Sequence, residues 1–145
     1  MNRDGFTLLE TVISLVIFCS ILSISIYSLK NYRAEVEERQ AIDWFKNTFK
    51  SKFNYSYLNH KSTTMIFEKN LVEFDTDVGN KTKSVYRKLP ETLTITENYS
   101  HKYTIYGTGS APAVTITFVS TLTRRKYTYK VQLGWGEIIE KKYTT

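Results

Sequence analysis

Residues 5–29 read GFTLLETVISLVIFCSILSISIYSL, and from Thr11 to Leu29 the stretch holds no charge, no proline and no glycine. Phe6 to Leu9 extend the apolar run, which is interrupted once, at Glu10. As a helix, residues 6–29 rise about 36 Å, enough to cross a hydrocarbon core of about 30 Å with some tilt. The stretch therefore reads as one spanning helix.

The interruption is the informative part. An ionised carboxylate within a membrane helix costs about 2.5 to 3.5 kcal/mol on insertion scales and is kept only with a partner. The helix itself offers no cation, since Arg3 and Asp4 precede Gly5 and the next basic residue is Lys30. A new α-amino group, made by cutting the chain before Phe6, would lie about four residues, or about 6 Å along the axis, from Glu10. In a staggered bundle that amine would equally meet Glu10 of a neighbouring subunit. Orientation is not set by flanking charge, because Arg3 and the initiator amine on one side balance Lys30 and Arg33 on the other. Two other readings fit the apolar run. One is a secretory signal peptide with a small-x-small site at Ser23, Ile24 and Ser25, and the other is a plain signal-anchor helix; both leave the carboxylate without a reason.

Gly5, Phe6, Thr7, Leu8, Leu9 and Glu10 together resemble the processing site shared by type IV pilins and pseudopilins. The resemblance implies that residues 1–5 (MNRDG) are a leader, that a membrane-embedded prepilin peptidase cuts after Gly5 on the cytoplasmic side, that Phe6 becomes N-methylated, and that Glu10 guides the docking of each subunit. Many major pilins carry a helix-breaking glycine or proline in this segment, whereas this one has only Cys19 and five serines. Cys19 reads as a small residue buried in the membrane helix.

Beyond Leu29 the chain turns polar, and Ala34, Ala41, Ile42, Phe45, Phe49 and Phe53 recur at three- and four-residue steps. This is helix periodicity, predicted to run to about Tyr57. Glu35 and Arg39, at i and i+4 in the favourable order, support its wet face. The phenylalanine stripe needs a cover. The remaining residues supply one, with period-two patterns rich in Thr, Val, Ile, Tyr and Phe that predict strands at 63–67, 71–75, 85–88, 93–96, 103–106, 114–119, 126–133 and 137–141. Glu68, Lys69 and Asn70 read as one hairpin turn, and residues 134–136 around Trp135 as another. The expected architecture is α+β: a long N-terminal helix, half membrane-spanning and half amphipathic, packed on one antiparallel sheet. The domain layout is then a leader at 1–5, an assembly helix at 6–29 and a globular domain at 30–145 with its outer helix at 30–57. That layout also resembles the pilin fold. Val131 to Ile139, and Gly107 to Phe118, resemble the C-terminal half of minor pseudopilins, and the whole-chain pattern is similar to the minor pseudopilins of Gram-positive competence (DNA-uptake) systems.

Composition bounds the chemistry. In 145 residues there are 20 Lys+Arg against 14 Asp+Glu, a formal net charge of +6, which favours acidic surfaces such as phosphate backbones or anionic lipid heads. The single cysteine allows no internal disulfide, and His60 and His101 have no nearby Cys or His partner for zinc. Both histidines read as surface residues. Two prolines and six glycines argue against a disordered chain, and 14% aromatic residues support a packed core. Arg124, Arg125, Lys126 and Lys130 are the candidate DNA contacts, with Lys81, Lys83, Arg87 and Lys88 behind them. Strand alternation opposes a full stacking interface, because it puts Tyr127, Tyr129, Val131 and Leu133 on a core face and Lys126, Thr128, Lys130 and Gln132 on a solvated one. Asp75, Asp77 and Asn80 around Gly79 resemble a piece of a calcium loop, but its closing position holds Tyr86, so a turn is the better account. No catalytic motif is present and no cofactor or metal is implied. The expectation is a structural subunit rather than an enzyme, with prepilin peptidase, other major and minor pseudopilins and membrane lipid as partners, and DNA as a further candidate. It would sit in the cell membrane by a single pass and reach the cell surface in the pilus.

Overall fold

An uninterrupted run of helix-compatible residues from Leu8 onward, without proline or glycine before Gly79, forms one helix, α1 (Leu8–Asn59, 52 residues). The computed structural model describes residues 7–79, 81–96, 101–134 and 136–141, and of 25–28 the backbone alone. The chain divides into two compact units, Met1–Arg33 and Ala34–Thr145.

In the first unit the apolar side chains point outward on every side, with Leu8 83% and Ile24 72% exposed. A helix that is apolar all round belongs in lipid or among like helices. Its hydroxyls satisfy themselves: Thr11 Oγ1 donates to the Leu8 carbonyl (2.7 Å), Ser20 Oγ to Val16 (2.8 Å) and Ser23 Oγ to Cys19 (2.8 Å). Polar residues are tolerable there because no hydroxyl of these three needs water.

In the second unit α1 buries Ala41, Ile42, Phe45 and Phe49 of the expected stripe, leaves Ala34 and Phe53 half-buried, and buries Glu38 and Ser56 in addition. It ends two residues past the predicted Tyr57. His60 takes a left-handed φ of 51°, and the Lys61 amide donates to the Ser56 carbonyl (3.1 Å), a helix stop normally built on glycine. Gly107 makes this possible, since a Cβ there would lie 2.5 Å from the His60 carbonyl carbon.

Eight strands follow: β1 (Thr63–Glu68), β2 (Leu71–Val78), β3 (Lys81–Lys88), β4 (Leu93–Ile95), β5 (His101–Ile105), β6 (Val114–Ser120), β7 (Lys126–Val131) and β8 (Ile138–Lys141). All pairings are antiparallel. They make two four-stranded sheets, β3-β2-β1-β5 and β4-β6-β7-β8, where one sheet was expected. The reason lies at Pro90. Proline cannot donate to a ladder, and the Leu93 amide turns back onto the Pro90 carbonyl (2.9 Å), so β4 leaves β3 and pairs with β6. The α+β class stands, with the helix packed against both sheets.

Three smaller differences have local causes. The β2–β3 hairpin is longer than predicted, so Asp77 joins Asp75 in the strand, opposite Thr82 and Ser84 respectively, where a turn was expected around Asp77; Asn80 lies outside the described residues. β7 stops at Val131, and Leu133 is exposed in the following turn with Gly134 at φ 86° and Gly136 at φ 60°. Trp135 of that turn is also outside the described residues. Thr128, assigned to the solvated face, is buried and pairs with Thr117 (3.3 Å) at the centre of the second sheet.

The core closes around Phe45. Its ring stands 5.9 Å from Phe67 and 6.3 Å from Phe74 of the first sheet, and 5.5 Å from Phe118 and 6.4 Å from Tyr129 of the second. Truncating a fully buried phenylalanine costs about 3 to 5 kcal/mol. Phe45→Ala is expected to lower the unfolding free energy by that amount in denaturant titration, while replacement of the exposed Tyr57 by Ala stays within about 0.5 kcal/mol of the parent.

Candidate functional site

Of the residues assigned to processing and assembly, Gly5 and Phe6 lie outside the described residues, and Glu10 lies in the first turn of α1. Glu10 is exposed. Its amide donates to Thr7 Oγ1 (3.3 Å) and to the Thr7 carbonyl (3.1 Å). Thr7 is thus the N-cap and Glu10 the third helical residue, the Thr-x-x-Glu spacing of a capping box. The sequence carried this signal, but reading Glu10 only as a charge in lipid passed over it. Placement in the first turn also sets the carboxylate at the positive end of the helix dipole, where an anion is favoured. A new amine before Thr7 would add a full positive charge at that same end.

The basic candidates fall into two groups on different sheets. Arg124 and Arg125 sit in the β6–β7 turn, and Lys126 and Lys130 lie on β7; all four are exposed. Lys81, Lys83, Arg87 and Lys88 lie on β3, an edge of the other sheet. Lys83, itself exposed, also acts on Lys52 of α1. Burial first, and then the Lys83 ammonium, hold the Lys52 ammonium below the usual lysine range, while Lys52 Nζ donates to Thr76 Oγ1 (2.9 Å). That hydroxyl is 3.1 Å from Thr63 Oγ1, itself 2.8 Å from Ser56 Oγ, so a polar chain ties α1 to β1 and β2.

The aromatic partners that base stacking would need are taken up by the core. Tyr129 is buried against Phe45 and Phe118, with Lys46 Nζ 5.7 Å from its ring centre, and Tyr127 is half-buried. Burial, then the charges of Glu140 and Asp43, push the Tyr129 phenol far above its ordinary range. What remains on this side is exposed cation without an exposed ring beside it on β7.

One buried carboxylate escaped the sequence reading. Glu38 is 1% exposed, and its Oε1 accepts from Ser120 Oγ (3.0 Å), which also accepts from the Thr123 amide (3.0 Å). Its Oε2 has no partner among the described residues. Within the charged run EVEERQ nothing distinguishes Glu38 from its neighbours, because the deciding contact is 82 residues away. Among the described residues, no group of three or more His, Cys, Asp or Glu is placed to hold a metal.

With the capped helix start and its apolar outer surface established, comparison with known families bears on residues 1–26, which match the prokaryotic N-terminal methylation motif. The N-terminus is thus similar to a prepilin-type methylation signal. The match supports a pilin-like N-terminus of the kind that prepilin peptidase processes, and it is consistent with membrane anchorage and pilus assembly alongside other pilins. No curated protein and no solved structure matches the chain.

Tyr129 gives a pH test of the core. Its folded-state pKa stands above the value of about 10 for a free phenol, so the stability it contributes is complete below about pH 10 and drains as pH rises beyond it. Tyr129→Phe has no phenol to ionise. The melting temperature of the parent is expected to fall more steeply than that of Tyr129→Phe above about pH 10; parallel profiles would remove the phenol from the account.

Proposed function

We propose that this chain is a minor pseudopilin of a competence, DNA-uptake pilus, with a structural role in assembly and no catalytic activity. The observation that carries it is a methylation motif seated on a helix whose apolar surface has no cover within its own unit. The chain is held in the membrane by one span, cut after Gly5, methylated at Phe6, and then drawn into a filament by packing of residues 6–29 among like helices. Glu10 sets the register by pairing with the N-terminal amine, its own or a neighbour's. The competence assignment is supported by the whole-chain resemblance to the competence pseudopilin ComGD in length, strand order and the segments Val131 to Ile139 and Gly107 to Phe118. DNA contact by this subunit has less support, since the tyrosines of β7 face inward.

Two measurements test the reading. Mass spectrometry of the mature N-terminus is expected to find methyl-Phe6; recovery of Met1 in cells with a working peptidase would make the chain a signal-anchored module instead. Glu10→Val is expected to leave membrane insertion intact and to deplete the subunit from sheared filaments, whereas normal incorporation would end the register mechanism. Deletion is expected to abolish transformation. A secretion or adhesion defect with transformation intact would move the subunit to a type II secretion or adhesive pilus system.

A further inference from the structure

Three connections of the Ala34–Thr145 unit are laced together at one end. The Leu89 amide donates to the Asn70 carbonyl (2.8 Å) and the Ile95 amide to the Lys69 carbonyl (3.0 Å), joining the β1–β2 turn to the β3–β4 link and to the end of β4. The Thr121 amide donates to the Thr92 carbonyl (2.8 Å), joining that link to the β6–β7 turn. Ser120 then fixes this turn to α1 through Glu38. The turn is held from within as well, by the Ser120 amide on the Arg125 carbonyl (2.9 Å) and the Thr123 amide on Ser120 Oγ, with Arg124 at φ 55°. Arg124 and Arg125 of the turn and Lys126, the first residue of β7, are consecutive and exposed, and among the described residues none of the three forms an ion pair.

The position of this turn along the chain is what gives the cations a partner. Glu38 lies nine residues after Leu29, the last residue of the apolar run. Nine residues span about 14 Å as helix and no more than about 32 Å fully extended, a chain-length limit that holds at any angle between the two units. We propose that Arg124, Arg125 and Lys126 dock on the anionic phospholipid headgroups of the leaflet from which the apolar segment emerges, and hold the globular unit against the membrane until assembly. The field of an anionic leaflet reaches about 8 Å at physiological salt, and tethering keeps the turn near that layer at high effective concentration. Acidic groups near the turn do not cancel it. Glu35 is paired with Arg39 at 2.7 Å, and the exposed Glu37, Glu68 and Glu91 are outnumbered by exposed Lys69 and Lys88 together with Arg124, Arg125 and Lys126. Nucleic acid is the weaker occupant, because no exposed ring on β7 accompanies the cations. The inference rests on membrane insertion of residues 6–29 and is independent of the competence assignment.

The test uses the full chain in nanodiscs, with Cys19→Ser and a fluorophore on Leu122→Cys, a half-buried position in the same turn, and a headgroup-borne quencher. Quenching is expected to be stronger with phosphatidylglycerol present than with phosphatidylcholine alone, and to weaken between about 0.1 M and about 1 M salt as the screening length falls from about 10 Å to about 3 Å. Arg124→Asn, which suits the left-handed backbone, combined with Arg125→Gln and Lys126→Gln, is expected to lower the docked-to-undocked ratio about a hundredfold, with melting temperature unchanged. Equal quenching in both lipids, or undiminished quenching in the triple variant, would overturn the proposal. A response to duplex DNA with none to lipid would overturn it in favour of nucleic acid. Failure of the chain to enter nanodiscs at all would instead sink the spanning helix, and this docking with it.

Discussion

The globular unit depends on one ring. Phe45 is the point where α1 touches both sheets, with Phe67 and Phe74 on one side and Phe118 and Tyr129 on the other. Aromatic pairs at these separations contribute about 0.5 to 1.5 kcal/mol each beyond the area they bury. The larger effect is geometric. Each sheet has an apolar inner face that water would penalise, and the two faces reach a common cover only where the helix offers a residue large enough to meet both. Ala41 and Ile42 before it, and Phe49 after it, extend that seam along the helix.

Around this dry centre the polar groups are placed in pairs. Ser56, Thr63, Thr76 and Lys52 form a chain of contacts between helix and first sheet, and Thr117 with Thr128 does the same within the second. Such groups cost free energy when buried alone and fix register when partnered. Glu38, Thr92 and Thr123 are exceptions among the described residues, each with a buried side-chain oxygen that has no partner. One oxygen of Glu38 is matched by Ser120 while the other has no partner among the described residues, which concentrates the polar strain of the unit at the β6–β7 turn.

Much of this was legible in the residues. The step from Phe45 to Phe49 to Phe53 placed the helix face, and alternation in TTMIFE and VTITFVS placed β1 and β6, because a sheet with one dry side imposes period two. The division into two sheets was not legible, since local pattern says that a strand exists and not which edge it joins; Pro90 decides that through a missing donor. The helix end at His60 was hidden for a similar reason, its left-handed backbone being accommodated by Gly107 far along the chain. At the candidate site, exposure of Arg124, Arg125, Lys126 and Lys130 followed from sequence, as did inward-facing Tyr129. The cap made by Thr7 was written in plain sight, yet a carboxylate in an apolar run drew attention to its charge and away from its amide.

The hydroxyls of Thr11, Ser20 and Ser23 are turned back onto their own helix. A neighbour laid alongside would find in them no outward donor to grip, only methylene and methyl surface. At those three positions the register between neighbours is left to the fit of side-chain bumps and to the charge at the helix start.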